Sequence, residues 1–389
     1  MHEGRLVFAQ LMDFFPKRPF QQCVERYRGH YRMRRFSCRD QFLAMAFAQL
    51  THRESLRDVE TCLQAMSDKL YHAGFRSRVS RSTLANANEH RDWRIYYDLA
   101  QVLIHHARKL YASEPLGVAL ERTVYALDST VIELCLSLFP WAHSQRQKAA
   151  IKLHTLLDLR GNIPCFVRVS AAKLQDSKIL GELVPEPGSF YIMDRGYNDF
   201  ARLHHWAQAG AFFVVRARRN LTFSRRDSHS VDRSVGLRSD QSVRFRDRRT
   251  RKNYPSLLRR VTFYEIETRR RFILLTNAFL LPAEAIPQLY KCRWQVELFF
   301  KWIKQHLLIK HFLGQSPNAV KTQLWIAIST YVLVAILKRE LQVTRPLSEI
   351  LQILSVALFE KTRDLQSILQ QPCTLPMRHF PKQLSLFDF

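Results

Sequence analysis

The chain has 389 residues, 47% of them apolar, which is enough for two or three domains and excludes wholesale disorder. Its 60 Lys and Arg outnumber 34 Asp and Glu, so the net charge is +26. An excess of this size indicates a polyanionic partner, which is either nucleic acid or an anionic membrane surface.

Three features argue against a membrane or secreted protein. The longest apolar run, 322–337, lies between two lysines and is short for a membrane span. The first residues lack the charged-then-apolar pattern of a signal peptide. The seven cysteines are scattered and form no Cys-x-x-Cys pair, which favours a reducing cytosol over a zinc site or a disulfide framework. We therefore predict a cytoplasmic protein without membrane contact.

Residues 1–115 are predicted to be almost entirely helical. A basic stretch with interleaved aromatic residues, 26–39, is either a phosphate-contacting surface or a solvated loop. Its arginines include Arg28, Arg32, Arg34, Arg35 and Arg39.

The same segment contains a helix, a turn and a helix between residues 55 and 90. Ser55 begins the first helix with a capping-box pattern, Gly74 lies in the turn, and Ser80 begins the second helix. This order is typical of a helix-turn-helix domain, although many all-helical domains share it. Its expected base contacts are Arg81, Thr83 and Asn86; Asn86 and Asn88 could instead cap a helix or hydrogen-bond within the domain.

Near residue 121 the sequence changes to β-branched and apolar runs, two of which end close to an acid, at Asp128 and at Asp194. The predicted elements are a strand over 123–132, a hairpin of 151–159 and 164–169, a strand over 189–193, a helix over 200–208 and a strand over 212–217. This is an α/β core in the order of the RNase H-like fold.

Residues 218–271 interrupt this order with short alternating segments rich in arginine. Over 211–271 there are 18 Arg and Lys against 6 Asp and Glu, a net charge of +12. We interpret the segment as an inserted β-rich module, and a disordered basic loop is the alternative.

The domain boundaries follow from these changes of pattern. We predict a helical DNA-binding domain (1–115), a catalytic domain formed by 116–217 and 272–337, the insertion (218–271), and a helical C-terminal region (338–389) that ends in a Pro-broken tail.

The most informative segment is 290–304, which contains no Gly or Pro and is predicted to be one helix. At about 100° per residue, Tyr290, Arg293, Glu297 and Lys304 lie within roughly 60° of one another beside an apolar stripe. A carboxylate among cations suits a site for metal ions and phosphates. In the simpler alternative, Glu297 only pairs with a basic residue four positions away.

The spacing of these four residues, Tyr-x2-Arg-x3-Glu-x6-Lys, resembles the signature of the IS4-type DDE transposases at every position. Residues 194–197 (Asp-Arg-Gly-Tyr) resemble the family pattern around its second acid, and the long insertion before Glu297 also agrees with the family. Residues 1–110 are similar to the N-terminal domain of one subgroup, through 55–58 and 80–89. The resemblance therefore spans nearly the whole chain.

The resemblance identifies Asp128, Asp194 and Glu297 as the candidate catalytic triad, although each Asp alone could be a simple turn or cap residue. Open α/β sheets form their ligand crevice at the carboxyl ends of strands, and three convergent carboxylates repel unless divalent cations lie between them. Oxygen ligands without Cys or His favour Mg²⁺ or Mn²⁺. Two such ions could activate a water or a 3′-hydroxyl and stabilise the leaving oxygen. Asp176 is a further acid that could lie near the site.

The expected DNA contacts outside the N-terminal domain are Tyr290, Arg293, Lys304, Trp294 and Arg195. The guanidinium and ammonium groups of the 290–304 helix would hold phosphates near the cut, and Tyr290 would bind a phosphate or the transposon end. Trp294 or Trp302 would stack on an unstacked base, or would belong to the core.

The resemblance implies an insertion-sequence transposase that binds terminal inverted repeats and carries out metal-dependent DNA cleavage and strand transfer into target DNA. It also implies a homodimer on paired ends, acting at the bacterial nucleoid. Two alternatives stay open: an RNase H-like nuclease without strand transfer, and a catalytically decayed copy that only binds DNA.

Overall fold

The structure is a computed structural model that describes residues 4–31, 33, 35–115, 122–134, 149–306 and 312–370. Within these residues the protein is a mixed α/β structure, in which helices from both ends of the chain pack together and contact a large sheet formed by its middle. Arg32 and Arg34 of the basic stretch, and the tail 371–389, lie outside the described residues.

The N-terminal residues form helices, as their apolar periodicity predicts. The side chains of Ser55 and Ser80 accept hydrogen bonds from the backbone N–H groups of Asp58 and Thr83, so both serines cap their helices. The elements are β1 (Arg5–Leu6), α1 (Val7–Leu11), α2 (Lys17–Arg26), α3 (Cys38–Leu50), α4 (Leu56–Ala65), α5 (Arg81–His90) and α6 (Arg94–Leu110).

The connection between α4 and α5 differs from the predicted helix-turn-helix. The two helices contact each other, but residues 66–80 separate them, whereas a helix-turn-helix has a turn of about three or four residues. Leu70, Phe75 and Val79 of the connection are buried. The connection therefore contributes to the core and does not form a tight turn, because these apolar side chains gain more from burial than from exposure.

The middle of the chain forms the sheet. Its elements are β2 (Val124–Leu134), β3 (Ala149–Asp158), β4 (Ile163–Ala171), β5 (Phe190–Met193), α7 (Phe200–Gln208), β6 (Phe212–Arg216), β7 (Phe223–His229), β8 (Leu237–Phe245), α8 (Arg248–Asn253), β9 (Leu258–Glu265) and β10 (Arg270–Thr276). Within the described residues, nine strands lie in the order β4-β3-β2-β5-β6-β10-β9-β8-β7. The pairs β2–β5 and β5–β6 are parallel, and the other neighbours are antiparallel.

Strand β2 continues past Asp128 to Leu134, so the prediction that it ends close to Asp128 is wrong for the strand as a whole. Its parallel pairing with β5 does end there, at Leu127 opposite Met193. Its antiparallel pairing with β3 continues, because the β-branched Val131 and neighbouring residues still have a partner strand.

The basic segment 218–271 continues the same sheet as an antiparallel meander and contains the short helix α8. Some of its positive charge is internal. The buried Arg259 donates hydrogen bonds to both carboxylate oxygens of Asp240, at 2.9 and 2.8 Å, and to the carbonyl of Ala278 at 3.1 Å. A buried guanidinium needs such partners, so this arginine serves the fold rather than a ligand.

The prediction of one helix over 290–304 is wrong, because two helices meet there. Arg293, Gln295 and Val296 donate their backbone N–H groups to carbonyls three residues back, each at 3.1 Å, which is a tighter turn than an α-helix makes. The C-terminal elements are α9 (Ala285–Lys291), α10 (Trp294–His306), α11 (Pro317–Glu340), α12 (Leu347–Ala357), β11 (Lys361–Thr362) and α13 (Leu365–Gln370).

Helix α11 lies in the interior and joins the two ends of the chain. It contacts α3, α5 and α6 from the N-terminal part and α12 from the C-terminal part, and these helices share one apolar core. Among the described helices it is the one long and apolar enough to cross a membrane, but 94% of its most apolar window is buried inside the protein. Residues 317–340 therefore pack against the N-terminal helices.

We expect Gly161→Ala to destabilise the fold through a steric clash. Gly161 has a φ of +78° in the turn between β3 and β4, and a Cβ atom there would lie 2.3 Å from the ring of Tyr111. The Tyr111 hydroxyl donates a hydrogen bond to the Ala335 carbonyl at 2.8 Å, which restrains the ring. Gly188 is the matched control, because its φ is +80° and a Cβ atom there would meet no other group within 4 Å.

In urea denaturation, Gly188→Ala should lower the free energy of unfolding by about 1 kcal/mol through backbone strain alone. Gly161→Ala should lower it by about 3 kcal/mol, because overpacking adds to the strain. Equal losses for the two variants would contradict the clash.

We also expect the stability to fall as the pH drops from about 6.5 to about 4, in part because of His154. This residue is buried in β3, and burial lowers the pKa of its imidazole to about 4, with the nearby Asp176 opposing part of the shift. Between the two pKa values the unfolded chain binds a proton that the folded chain does not, so stability rises with pH across that window.

One such group changes the free energy of unfolding by up to about 1.4 kcal/mol per pH unit. Urea unfolding at a series of pH values should therefore show a flatter pH dependence for His154→Gln than for the wild type. His105, which is exposed on α6, supplies the control His105→Gln. An unchanged slope for His154→Gln would show that the buried ring is not the source.

Candidate active site

Two of the predicted acids emerge side by side where parallel pairing ends. Asp128 directly follows Leu127 in β2, and Asp194 directly follows Met193 at the end of β5. Leu127 and Met193 are partners in the parallel register, so the next residue of each segment lies where the β2–β5 pairing ends. The Asp128 side chain is 19% exposed, and its Oδ1 accepts a hydrogen bond from the backbone N–H of Ser129 at 2.8 Å.

Glu297 approaches the two Asp residues from α10, which packs against β2. Burial raises the pKa of Asp128 to about 6; Arg293 and the Ser129 N–H oppose this shift, and the negative charges of Asp194 and Glu297 add to it. The three predicted carboxylates therefore interact electrostatically at one place, although they lie far apart in the sequence.

Arg293 lies between two of these acids. Its Nη1 donates to Asp128 Oδ2 at 2.6 Å, and its Nη2 donates to Glu297 Oε1 at 2.5 Å. The pairing of Glu297 with Arg293 is the simpler alternative drawn from the sequence, but the second bond to Asp128 shows that it belongs to a wider cluster. Arg293 is 16% exposed, so its charge is concentrated on the two carboxylates.

Tyr290 completes the cluster from the last turn of α9. Its hydroxyl donates a hydrogen bond to Asp194 Oδ1 at 3.1 Å, and the ring is buried. Burial raises the pKa of the Tyr290 phenol to about 12, and the Asp194 carboxylate adds to the shift, so the phenol stays protonated and remains a donor. In this structure the phenol binds an acid, whereas the sequence predicted a contact with DNA.

The other predicted contacts in this region are on the surface. Trp294 is 58% exposed and Lys304 is exposed, both on α10, and Arg195 is exposed in the turn that follows β5. Trp302 packs against the ring of Tyr331 at 4.6 Å between centroids, which matches its core alternative. Of the two tryptophans, Trp294 is the more exposed, and Trp302 is half-buried.

The N-terminal candidates lie elsewhere in the fold. Arg81, Thr83 and Asn86 are exposed on α5, whose packing partners include α3, α4 and α11. Asn88 is buried and accepts a hydrogen bond from Gln41 Nε2 at 2.8 Å, so it supports the domain. The structure does not bring these residues to the acids.

The donor chemistry of the site fits a divalent cation. Within the described residues, no three His, Cys, Asp or Glu side chains are already arranged as metal ligands. A guanidinium between Asp128 and Glu297 nevertheless shows that this position accommodates positive charge. Carboxylate oxygens without nitrogen or sulfur donors suit Mg²⁺ or Mn²⁺.

Sequence reasoning did not predict the hydrogen bonds that Asp176 accepts near Asp128. Asp176 Oδ1 accepts hydrogen bonds from Ser129 Oγ at 2.7 Å and from Lys152 Nζ at 3.1 Å. The sequence indicates Asp176 only as a further acid near the site. These contacts join residues up to 47 positions apart, and Asp176 begins a 3₁₀ turn, so no periodic pattern could have indicated them.

The profile of the family described as "Transposase DDE domain" matches residues 119–333, which is more than half of the chain, and a domain of unknown function matches residues 3–76. The protein y4zB of Sinorhizobium fredii (strain NBRC 101917 / NGR234), whose name assigns it as a transposase, is 35% identical over 260 residues. This match covers 66% of the present chain and 72% of y4zB.

Two relatives are named for insertion sequences. The protein assigned as the transposase of element IS5377 of Geobacillus stearothermophilus is 30% identical over 208 residues, covering 53% of this chain and 54% of that protein. Transposase InsG for element IS4 of Escherichia coli (strain K12) is 23% identical over 197 residues, covering 47% and 43%. The chain therefore belongs to the transposase DDE domain family, as an insertion-sequence transposase of the IS4 type.

Proposed function

We propose that Asp128, Asp194 and Glu297 form the catalytic centre of this transposase and hold two Mg²⁺ or Mn²⁺ ions. The observation that carries the proposal is that Arg293 bridges Asp128 and Glu297, while Asp194 follows β5 beside Asp128 in the parallel register. One guanidinium offsets one of three negative charges, and close carboxylates repel. Divalent cations would supply the remaining compensation.

Bound metal ions would activate the attacking water or 3′-hydroxyl and stabilise the leaving oxygen at phosphorus. The protein's own contribution is to fix the carboxylates, through the β2–β5 register and the packing of α10 on β2. The Ser129 N–H engages Oδ1 of Asp128, and this leaves Oδ2 as the oxygen that faces the cationic position.

Arg293, Tyr290 and Lys304 would bind DNA at this centre. Arg293 and Tyr290 now donate to the acids, and both become available to phosphate oxygens when cations neutralise those acids. The forked guanidinium suits a phosphate, whereas the exposed Lys304 ammonium on α10 acts as a point charge. Arg195, in the turn after β5, extends the positive surface.

The strand order supports the finer assignment of an RNase H-like core. The five strands β4-β3-β2-β5-β6 comprise three antiparallel strands followed by two parallel ones, with Asp128 on central β2 and Asp194 after adjacent β5. On this assignment, residues 218–271 are an insertion that extends the sheet through β9, β8 and β7.

The partners of the reaction would be the transposon ends and the target DNA, bound by a homodimer that holds paired ends at the nucleoid. A net charge of +26 supports extensive contact with DNA. The exposed Arg81, Thr83 and Asn86 of α5 would contribute to recognition of the terminal repeats.

Glu297→Gln should lower Mg²⁺-dependent nicking of transposon-end DNA by at least about 100-fold, because an amide lacks the charge that a metal ligand supplies. The control is Glu265→Gln, since Glu265 lies on β9 and pairs with Lys291 at 3.5 Å, apart from the three acids. The assay would use the full chain and DNA that flanks its gene, and nicked product would be quantified on gels.

Equal nicking by Glu297→Gln and the wild type would remove the proposed centre. With paired ends and a target plasmid, the wild type should also yield joined product. Cleavage without joining would indicate a nuclease that lacks strand transfer.

Trp294→Ala should weaken binding of the transposon end by about 5- to 100-fold, because stacking on one base contributes about 1–3 kcal/mol. The ring is exposed, so thermal stability should change little. Trp302→Ala is the comparison, because Trp302 packs on Tyr331 and its loss should lower the melting temperature. If Trp294→Ala bound the transposon end as tightly as the wild type, the stacking role would be wrong.

A further inference from the structure

Asp176 contacts the part of β2 that carries Asp128. Its Oδ1 accepts a hydrogen bond from the Ser129 hydroxyl at 2.7 Å. The backbone N–H of the same Ser129 donates to Asp128 Oδ1 at 2.8 Å. Asp176 therefore holds, through one residue, the group that orients the Asp128 carboxylate.

The other oxygen of Asp176 lies against the strand end that carries Asp194. A Cβ atom at Gly196, two residues after Asp194, would lie 3.3 Å from Asp176 Oδ2. A contact that short is tighter than most side chains accept, so the glycine lets the carboxylate approach the turn closely. Asp176 thus lies between Ser129, which follows Asp128, and Gly196, which lies two residues after Asp194.

The charge of Asp176 is compensated by Lys152, a residue of β3. Lys152 Nζ donates to Asp176 Oδ1 at 3.1 Å and to the Leu174 carbonyl at 2.8 Å, and the lysine side chain is 13% exposed. His154 Nδ1 lies 3.8 Å from the same oxygen, but burial lowers the pKa of this imidazole to about 4, so the ring is neutral near pH 7. Lys152 therefore provides the compensating cation.

We propose that Asp176 is a positioning residue that sets the separation and orientation of the Asp128 and Asp194 carboxylates for metal binding. The inference rests on the proposed function of these two acids. Asp176 acts through Ser129 on one strand and against Gly196 on the other, and the structure gives it no direct bond to either acid. Partners of this kind, outside the ligand set, typically change metal affinity about 10- to 100-fold.

Mn²⁺ binding to the full-length protein without DNA tests this role, with isothermal titration calorimetry as the readout. Asp176→Ala should weaken Mn²⁺ binding by about tenfold or more, because the segments that carry Asp128 and Asp194 lose their common contact. Asp176→Asn should recover part of that loss, because its amide oxygen can still accept the Ser129 hydrogen bond.

Asp199→Asn is the matched control. Asp199 lines the same open cavity of about 750 Å³ as Asp176, and the two side chains are 32% and 29% exposed. The Asp199 side chain caps α7, and its Oδ2 lies 3.6 Å from Arg202 Nη1. Its replacement should leave Mn²⁺ affinity within about twofold of the wild type.

A double-mutant cycle separates positioning from general damage. Ser129→Ala and Asp176→Ala remove the two ends of one hydrogen bond, so their combined effect on Mn²⁺ affinity should be clearly less than the product of the single effects. Should Asp176→Ala not fold, Asp176→Asn and Ser129→Ala carry the same test.

A folded Asp176→Ala with wild-type Mn²⁺ affinity would overturn the inference, and so would an equal loss in Asp199→Asn. Glu297→Gln in the same titration distinguishes the two levels of the proposal. If Glu297→Gln weakens Mn²⁺ binding and Asp176→Ala does not, only the positioning role fails. If neither variant weakens it, the proposed metal centre fails as well.

Discussion

The parallel pairing of β2 with β5 is the constraint on which the active site depends. Leu127 and Met193 are neighbours in this register, and the acids follow them directly. Both strands are buried over their paired residues, so the core fixes the register, and a slip by one residue would turn one acid to the opposite face of the sheet. Burial of the apolar residues of β2 and β5 therefore fixes how the carboxylates of Asp128 and Asp194 are placed relative to each other.

The negative charges of Asp128, Asp194 and Glu297 are only partly neutralised by the hydrogen-bonded side chains around them. Arg293 bridges Asp128 and Glu297, whereas Asp194 receives a neutral hydrogen bond from Tyr290, so within the described residues Arg293 is the cation that hydrogen-bonds to these acids. The chain as a whole carries a large positive excess, yet some of its arginines, such as Arg259, are committed to buried partners. The acids of the active site favour the binding of metal ions, whereas the positive charge of the whole molecule favours the binding of DNA.

Local pattern predicted the parts of the site that are local. The apolar run that ends on Asp194 indicated the end of β5, and the apolar run before Asp128 indicated where the parallel pairing of β2 ends. The helix predicted over 200–208 is α7. The break between α9 and α10 was not predictable, because Arg293 is held by an acid 165 positions away. Asp176 was underestimated for the same reason, since its partners come from separate strands. Periodicity describes what a segment does alone, whereas these features depend on packing between distant segments.

The first and last described strands also have a consequence for how the chain is made. Arg5 and Leu6 pair with Thr362 and Lys361, and the long α11 covers helices that were synthesised more than 200 residues earlier. While the polypeptide emerges from the ribosome, the faces of α3, α5 and α6 that pack against α11 stay uncovered until α11 has been synthesised. Nascent chains that lack α11 would present those faces to chaperones and proteases, so translation must pass α11 before the faces can be buried against it.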